Sequence, residues 1–229
     1  MIRHLGCIMD GNRRWAKKNG VSLSDGVLEG LSRAQTAVDF CLEKQIPYLS
    51  LYAFAIENFK RSIIERECIF GLLISHGRTY ATNLANQGVR VHIIGDRSLF
   101  PSHVQDTCDE IEQITSSGKK LTVQLLFCYG GRQEIIAGVK EVCMQVSAGK
   151  LDLDNLTTES FKRYLWMGDI PDPDLIIRTG FANRLSGFLL FASAYSELYF
   201  PQCLWPDMTH EQFEKAVEYF VSCKRNFGV

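Results

Sequence analysis

The chain has 229 residues, 46% of them apolar and 22% charged, with a formal net charge of −1. At about 150 residues per domain this suits one large domain, residues 1–229, with enough apolar mass for a sizeable core. It excludes a disordered chain, which needs lower hydrophobicity or a larger net charge, and a helical membrane span, which needs ~18 consecutive apolar residues. Lys and Arg are scattered rather than gathered in a stripe, which argues against nucleic acid as a partner. The opening residues lack the layout of a signal peptide, pointing to the cytoplasm. No two of the eight cysteines are spaced Cys-x-x-Cys. Buried, reduced thiols are therefore expected rather than a zinc site or a redox pair.

In chain order, Leu5–Met9 is a short strand-like run ending at the turn signal Asp10-Gly11-Asn12. From Gly26 to Lys44, Leu31, Ala34, Val38 and Cys41 recur at helical spacing, and Pro47 follows. Tyr48–Phe54 reads as a strand, Arg61 to Ala85 as a long helix through Ile64, Phe70, Leu73 and Ala81, and Val89–Ile94 as a strand. Pro101 opens a helix with Val104, Cys108 and Ile111 on one face. Leu121–Phe127 is a strand, Gln133 to Ala148 a helix, and Leu175–Ile177 a short strand. Phe188–Phe191 and Tyr199-Phe200 frame the last turns, and Thr209-x-x-Gln212 has the form of a capping box before a final helix. Alternation of this kind predicts a single α/β domain with a mainly parallel central sheet flanked by helices.

Ligands of such sheets bind at the carboxyl ends of the strands. The polar turns there are residues 10–14, 57–61, 129–132 and 178–180, and they concentrate arginines beside glycines and one aspartate. There is neither a Gly-x-x-x-x-Gly-Lys-[Ser/Thr] loop nor a Gly-x-Gly-x-x-Gly turn. Arginine's planar fork suits phosphate oxygens, and glycine lets backbone N–H groups approach them. A helix starting at Asn12 would also offer its free N–H groups to an anion. Asp10 would repel a phosphate unless a divalent cation lay between them, and Mg²⁺ is commonly held by one or two carboxylates plus substrate phosphates. The residues alone thus point to an enzyme handling a phosphorylated or diphosphate ligand with Mg²⁺.

The segment His4-x-x-x-Ile8-Met9-Asp10-Gly11-Asn12-Arg13-Arg14-Trp15-Ala16 closely resembles the opening signature of the cis-prenyltransferases, the group containing undecaprenyl diphosphate synthase. The resemblance continues through residues 51–54, Glu57-Asn58, residues 94–96, Tyr129-Gly130-Gly131-Arg132 and residues 173–180. Arg184-Leu185-Ser186, residues 194–200, Leu204-Trp205-Pro206-Asp207 and Phe227-Gly228 extend it over essentially the whole chain. It implies a homodimer whose subunits each enclose an apolar tunnel. It also implies condensation of isopentenyl diphosphate with an allylic diphosphate, giving a cis double bond and free diphosphate. By residue match, Asp10 would help Mg²⁺ draw off the allylic diphosphate, cradled by Gly11, Asn12, Arg13, Arg14 and Trp15. Arg61 would add a cation, and Arg178, Arg184 and Ser186 would hold the diphosphate of isopentenyl diphosphate. Glu197 would be a second Mg²⁺ carboxylate, and Asn58 would lie near the carbon that loses its proton. Membrane association would be at most peripheral, through a lipid product.

The departures from the family pattern are clustered. Leu23 and Val27 stand where an arginine and a histidine are usual, Ala55 replaces a serine or threonine, and Phe181-Ala182 replaces Gly-Glu. Gly187 stands for an asparagine and Phe59 for a tryptophan, and the C-terminal arginines are thinned. They reduce the positive lining of the allylic site, where each charge-assisted contact is worth ~1.5–3 kcal/mol. Phe127 lies where long-chain members carry small residues, so a ring projecting inward would stop the product at short to medium length. Two alternatives remain open beside the regular synthase: a lavandulyl-type enzyme joining two allylic units, and a non-catalytic partner subunit of the same fold.

Overall fold

The computed structural model describes residues 1–225; Phe227-Gly228 lies outside the described residues. Six strands, β1 (His4–Ile8), β2 (Tyr48–Ala55), β3 (Val89–Ile94), β4 (Leu121–Tyr129), β5 (Leu175–Arg178) and β6 (Glu197–Tyr199), form one sheet in the order β3-β4-β2-β1-β5-β6. Every pairing is parallel. The helices are α1 (Asn12–Asn19), α2 (Leu23–Glu43), α3 (Ile63–Asn86), α4 (Ser102–Thr115), α5 (Gly131–Ser147), α6 (Thr158–Lys162) and α7 (His210–Ser222). Parallel strands need crossovers and are covered on both faces, which is why the strands read as near-continuous apolar runs. The chain runs outward from β1 to β2 and beyond, then returns to place β5 on the other side of β1. The crevice between β1 and β5 is therefore the topological switch point.

One face of the sheet carries Leu5, Cys7, Leu49, Leu51, Val91 and Val123 in the larger core cluster. The other face packs Ile8, Tyr52, Leu126 and Ile176 against Phe188 and Leu189. On this second face β1, β2 and β4 bury a polar row. His4 is fully buried, with Nδ1 against the Pro171 carbonyl (2.6 Å) and Nε2 against Ser50 Oγ (2.8 Å); Ser50 in turn donates to Gln124 Oε1 (3.2 Å). Burial lowers its pKa to about 4, so the imidazole is neutral at physiological pH.

Several expectations are corrected. The capping box at Thr209 is not formed: Thr209 occupies the N-cap of α7, but its side chain makes no cap hydrogen bond. Reciprocal boxes lie instead at Ser22, where Asp25 N donates to Ser22 Oγ and Asp25 Oδ2 accepts from Ser22 N, and at Thr157 with Ser160. Residues 197–199 form the sixth strand rather than part of the last turns. Ile64, assigned by its spacing to the apolar face of α3, is 81% exposed. All eight cysteines are free, but only Cys7, Cys41, Cys108 and Cys128 are buried, and Cys143 is exposed.

Candidate active site

β1 ends at Ile8, opposite Arg178 at the end of β5, so the turn after β1 leaves the sheet beside that guanidinium. Asp10 is held there by its backbone as much as by its side chain. Thr179 Oγ1 donates to the Asp10 carbonyl (2.7 Å), which also accepts from Trp205 N (3.1 Å). The carboxylate lies between two arginines: Oδ1 accepts from Arg14 Nη2 (2.9 Å) and Oδ2 from Arg178 Nη2 (3.0 Å). Asp10 is a third exposed, whereas Arg178 is 5% exposed. Arg178 Nη1 donates to Ser186 Oγ (2.7 Å) and to the Arg184 carbonyl, fixing the 184–186 turn from inside. Arg14 Nη1 donates to the Gly180 carbonyl (2.7 Å). A Cβ at Gly180, where φ is +87°, would lie 2.5 Å from Arg14 Nη2 and 2.8 Å from Asp10 Cγ. The triad of Asp10, Arg14 and Arg178 closes only because residue 180 has no side chain and tolerates a left-handed backbone.

α1 starts directly after this turn, with Gly11 as N-cap and no side chain capping it. Asp10 is therefore not the helix cap, and the first N–H groups of α1 remain free for an anion. Asn12 packs its carboxamide into the space that a Gly30 side chain would fill, and its Oδ1 is buried without a partner. Arg13 Nη1 donates to Glu65 Oε1 (3.1 Å), joining α1 to the start of α3.

Beneath these groups a cavity of about 920 Å³ opens between α2, α3 and the first face of the sheet. Asp10, Gly11, Asn12, Arg13, Arg14, Asn58, Arg61, Arg178, Arg184 and Ser186 all line it, so ten of the predicted positions converge. Burial lowers the Arg61 pKa, though not enough to discharge a guanidinium at neutral pH. Asn58 Oδ1 accepts from Ala55 N (3.3 Å). Leu23, Val27 and Ala55, three of the departures, also line the cavity and make that part of its wall apolar. Phe181 is 57% exposed with φ +59°, a left-handed conformation costly for a bulky residue.

Two predicted residues are not brought together with the rest. Trp15 Nε1 donates to Asp207 Oδ1 (2.8 Å), tying α1 to the 205–207 turn. Glu197 pairs in register with Leu175, and Leu175 with Leu5. It lies level with Leu5 near the start of β1, roughly 10 Å along the strands below Ile8, where β1 ends. Its carboxylate faces Arg225 Nε at 3.8 Å instead. Within one chain, the carboxylates of Asp10 and Glu197 thus stand at different levels of the sheet. Arg132 and Glu57 line the cavity without having been assigned roles, although both lie in polar turns visible in the sequence.

Phe127 does face the cavity, but it is wall rather than floor. A register shift between β2 and β4 sets it opposite Phe54, and its ring packs against Phe54, Phe70 and Phe100 at centroid distances of 5.4–5.5 Å. The lining continues past it along β4 to Leu125 and Val123, a further ~13 Å of strand. Phe127→Ala should therefore lower stability by about 3–5 kcal/mol, the cost of emptying a core aromatic site, and lower Tm by roughly 10 °C. Thermal unfolding measures this; product chromatography should show an unchanged chain length, and a longer product would restore the ring as the stop.

Comparison with known proteins decides what this arrangement belongs to. The family model described as putative undecaprenyl diphosphate synthase matches residues 8–228. The chain belongs to this family of cis-prenyltransferases. It is 41% identical to the isoprenyl transferase of Thermotoga maritima over 226 residues, covering 99% of this chain and 96% of that one. It is 38% identical over 233 residues to the tritrans,polycis-undecaprenyl-diphosphate synthase (geranylgeranyl-diphosphate specific) of Thermoplasma acidophilum, covering 99% of this chain and 88% of the relative. The crystal structure of lavandulyl diphosphate synthase from Lavandula x intermedia, in complex with dimethylallyl diphosphate, superposes with a TM-score of 0.95 at 28% identity, covering 100% of this chain and 98% of that one. The protein is thus a transferase of prenyl groups in isoprenoid biosynthesis.

Proposed function

We infer that residues 1–229 act as one catalytic unit that joins isopentenyl diphosphate to an allylic prenyl diphosphate in cis geometry and releases diphosphate. The observation that carries this reading is the Asp10 carboxylate, clasped by Arg14 and Arg178, at the head of an apolar cavity. The isopentenyl double bond attacks the allylic carbon, the C–O bond breaks, its electron pair leaves with the diphosphate, and the condensed carbon skeleton gives up a proton beside Asn58 to that diphosphate. Charge grows on the departing oxygens. Arg14, Arg61 and the free N–H groups of α1 are fixed cations and dipoles that act on that charge in the transition state. Arg178 holds Ser186 and the Arg184 turn in place for the second diphosphate. The apolar walls exclude water from the reacting carbons.

Mg²⁺ fits the donor set, since Asp10 offers a partly exposed carboxylate at the cavity and diphosphates supply the remaining hard oxygens. When bound, the cation would neutralise the departing diphosphate. The cavity is at the upper end of the ~300–1,000 Å³ usual for small-molecule sites, which supports a short to medium product. Unpaired cysteines support a reducing compartment, the cytoplasm. Among the described residues no helix is long and apolar enough to cross a membrane. A homodimer is supported by Ile136, Val139 and Cys143, which recur at helical spacing on the exposed side of α5, with Met144 beside them. Light scattering should give twice the chain mass, and Val139→Glu should halve it.

Lavandulyl-type coupling is the second reading, favoured by the apolar Leu23 and Val27 in the cavity wall and by the lavender synthase neighbour. One assay separates the readings: radiolabelled isopentenyl diphosphate offered with dimethylallyl, farnesyl or geranylgeranyl diphosphate, against dimethylallyl diphosphate alone. A linear labelled product only in the mixed reactions supports the regular synthase. A branched product from the single substrate would overturn it, and turnover by the homogeneous chain excludes a non-catalytic subunit.

A further inference from the structure

Ile63 and Ile64 open α3 with 65% and 81% of their surface exposed, two consecutive branched apolar side chains in water. Arg61, two residues before the pair, and Glu65, directly after it, line the cavity, so the pair stands on its rim. The rim is also basic. Lys60 and Arg61 precede the pair, and the Arg13–Glu65 bond brings α1 alongside, with Arg13 and Lys17 one turn apart and Lys18 next to them, all exposed. Arg13 and Glu65 neutralise each other, which leaves four exposed cations, Lys17, Lys18, Lys60 and Arg61, against two exposed acids, Glu57 and Glu67, on α1 and residues 57–67. In a chain of net charge −1 this is a local asymmetry.

We propose that this rim docks on an anionic lipid bilayer, with Ile63 and Ile64 inserting at the headgroup boundary and Arg13, Lys17, Lys18 and Lys60 contacting acidic headgroups. Apolar insertion and a basic patch are the two signals that together give reversible membrane binding where either alone is marginal. The inference rests on the proposed function in one respect: a product with an apolar tail leaves the cavity beside this rim and enters the bilayer without crossing water. Docking itself needs no catalysis, so the two readings fail separately.

The full chain should sediment with vesicles of phosphatidylcholine and phosphatidylglycerol at low salt and not with phosphatidylcholine alone. Ile63→Ser combined with Ile64→Ser should weaken partitioning at least tenfold, about 1.4 kcal/mol, while turnover without vesicles stays at the wild-type level. Ile64→Trp should tighten partitioning, since indole favours the interface. Wild-type chain that stays in the supernatant, or a double variant that sediments like wild type, overturns the proposal. Loss of vesicle-free turnover in the double variant also overturns it, because the pair would then be closing over the cavity. Vesicle binding without turnover in any substrate mixture would leave the docking surface standing and remove the synthase reading.

Discussion

Asp10→Ala should lower kcat on the order of 10³-fold, about 4 kcal/mol, with a much smaller change in overall fold stability. The carboxylate joins Arg14 and Arg178 and, in the proposed function, would anchor a divalent cation, so its removal would take away both that anchor and the register of the two guanidiniums. Asp10→Asn keeps the shape and loses the charge. It should be nearly as inactive while melting close to wild type. Steady-state kinetics at saturating Mg²⁺, paired with thermal unfolding, measures both. Near-wild-type turnover of either variant would remove Asp10 from the chemistry.

Arg178→Ala should reduce kcat/KM for isopentenyl diphosphate by ~10²–10³-fold, corresponding to one or two lost charge-assisted contacts at about 1.5–3 kcal/mol each. The buried guanidinium spans Asp10 on one side and Ser186 with the Arg184 carbonyl on the other. Lysine cannot reproduce that span, because an ammonium is a point donor without a planar fork. Arg178→Lys should therefore recover less than tenfold of the loss. Full rescue by lysine would reduce Arg178 to a charge.

The sheet, its parallel sense and five of its six strands were legible because buried parallel strands are apolar runs separated by helical periods. β6 was not: Glu197-Leu198-Tyr199 is too short to show a run, and it is a strand only because β5 offers an edge. The same gap hid the position of Glu197. Its motif matched, but the level at which an edge strand docks is a register that motif spacing does not encode. Trp15 was misplaced for a similar reason, since its partner Asp207 lies 192 residues away. The arginine-rich turns were readable because all four follow strands, and strands of a parallel sheet end on one side. The need for glycine at position 180 was not, because it arises from the approach of Arg14 and Asp10, which come from another part of the chain. Phe127 turned on the bulge between β2 and β4, a local insertion that propensity does not announce.

The ion pair between Asp10 and Arg178 joins groups 168 positions apart, one just past the end of β1 and the other at the end of β5. A chain still emerging from the ribosome thus carries the aspartate long before its counterpart exists, and an amino-terminal fragment lacks the Arg178 side of this arrangement. Non-native clusters gain nothing from ligand, whereas the completed fold does, so substrate acts as a late clamp on the finished molecule. Proteolytic nicking anywhere between β1 and β5 should accordingly be slowed by substrate as a single cooperative effect.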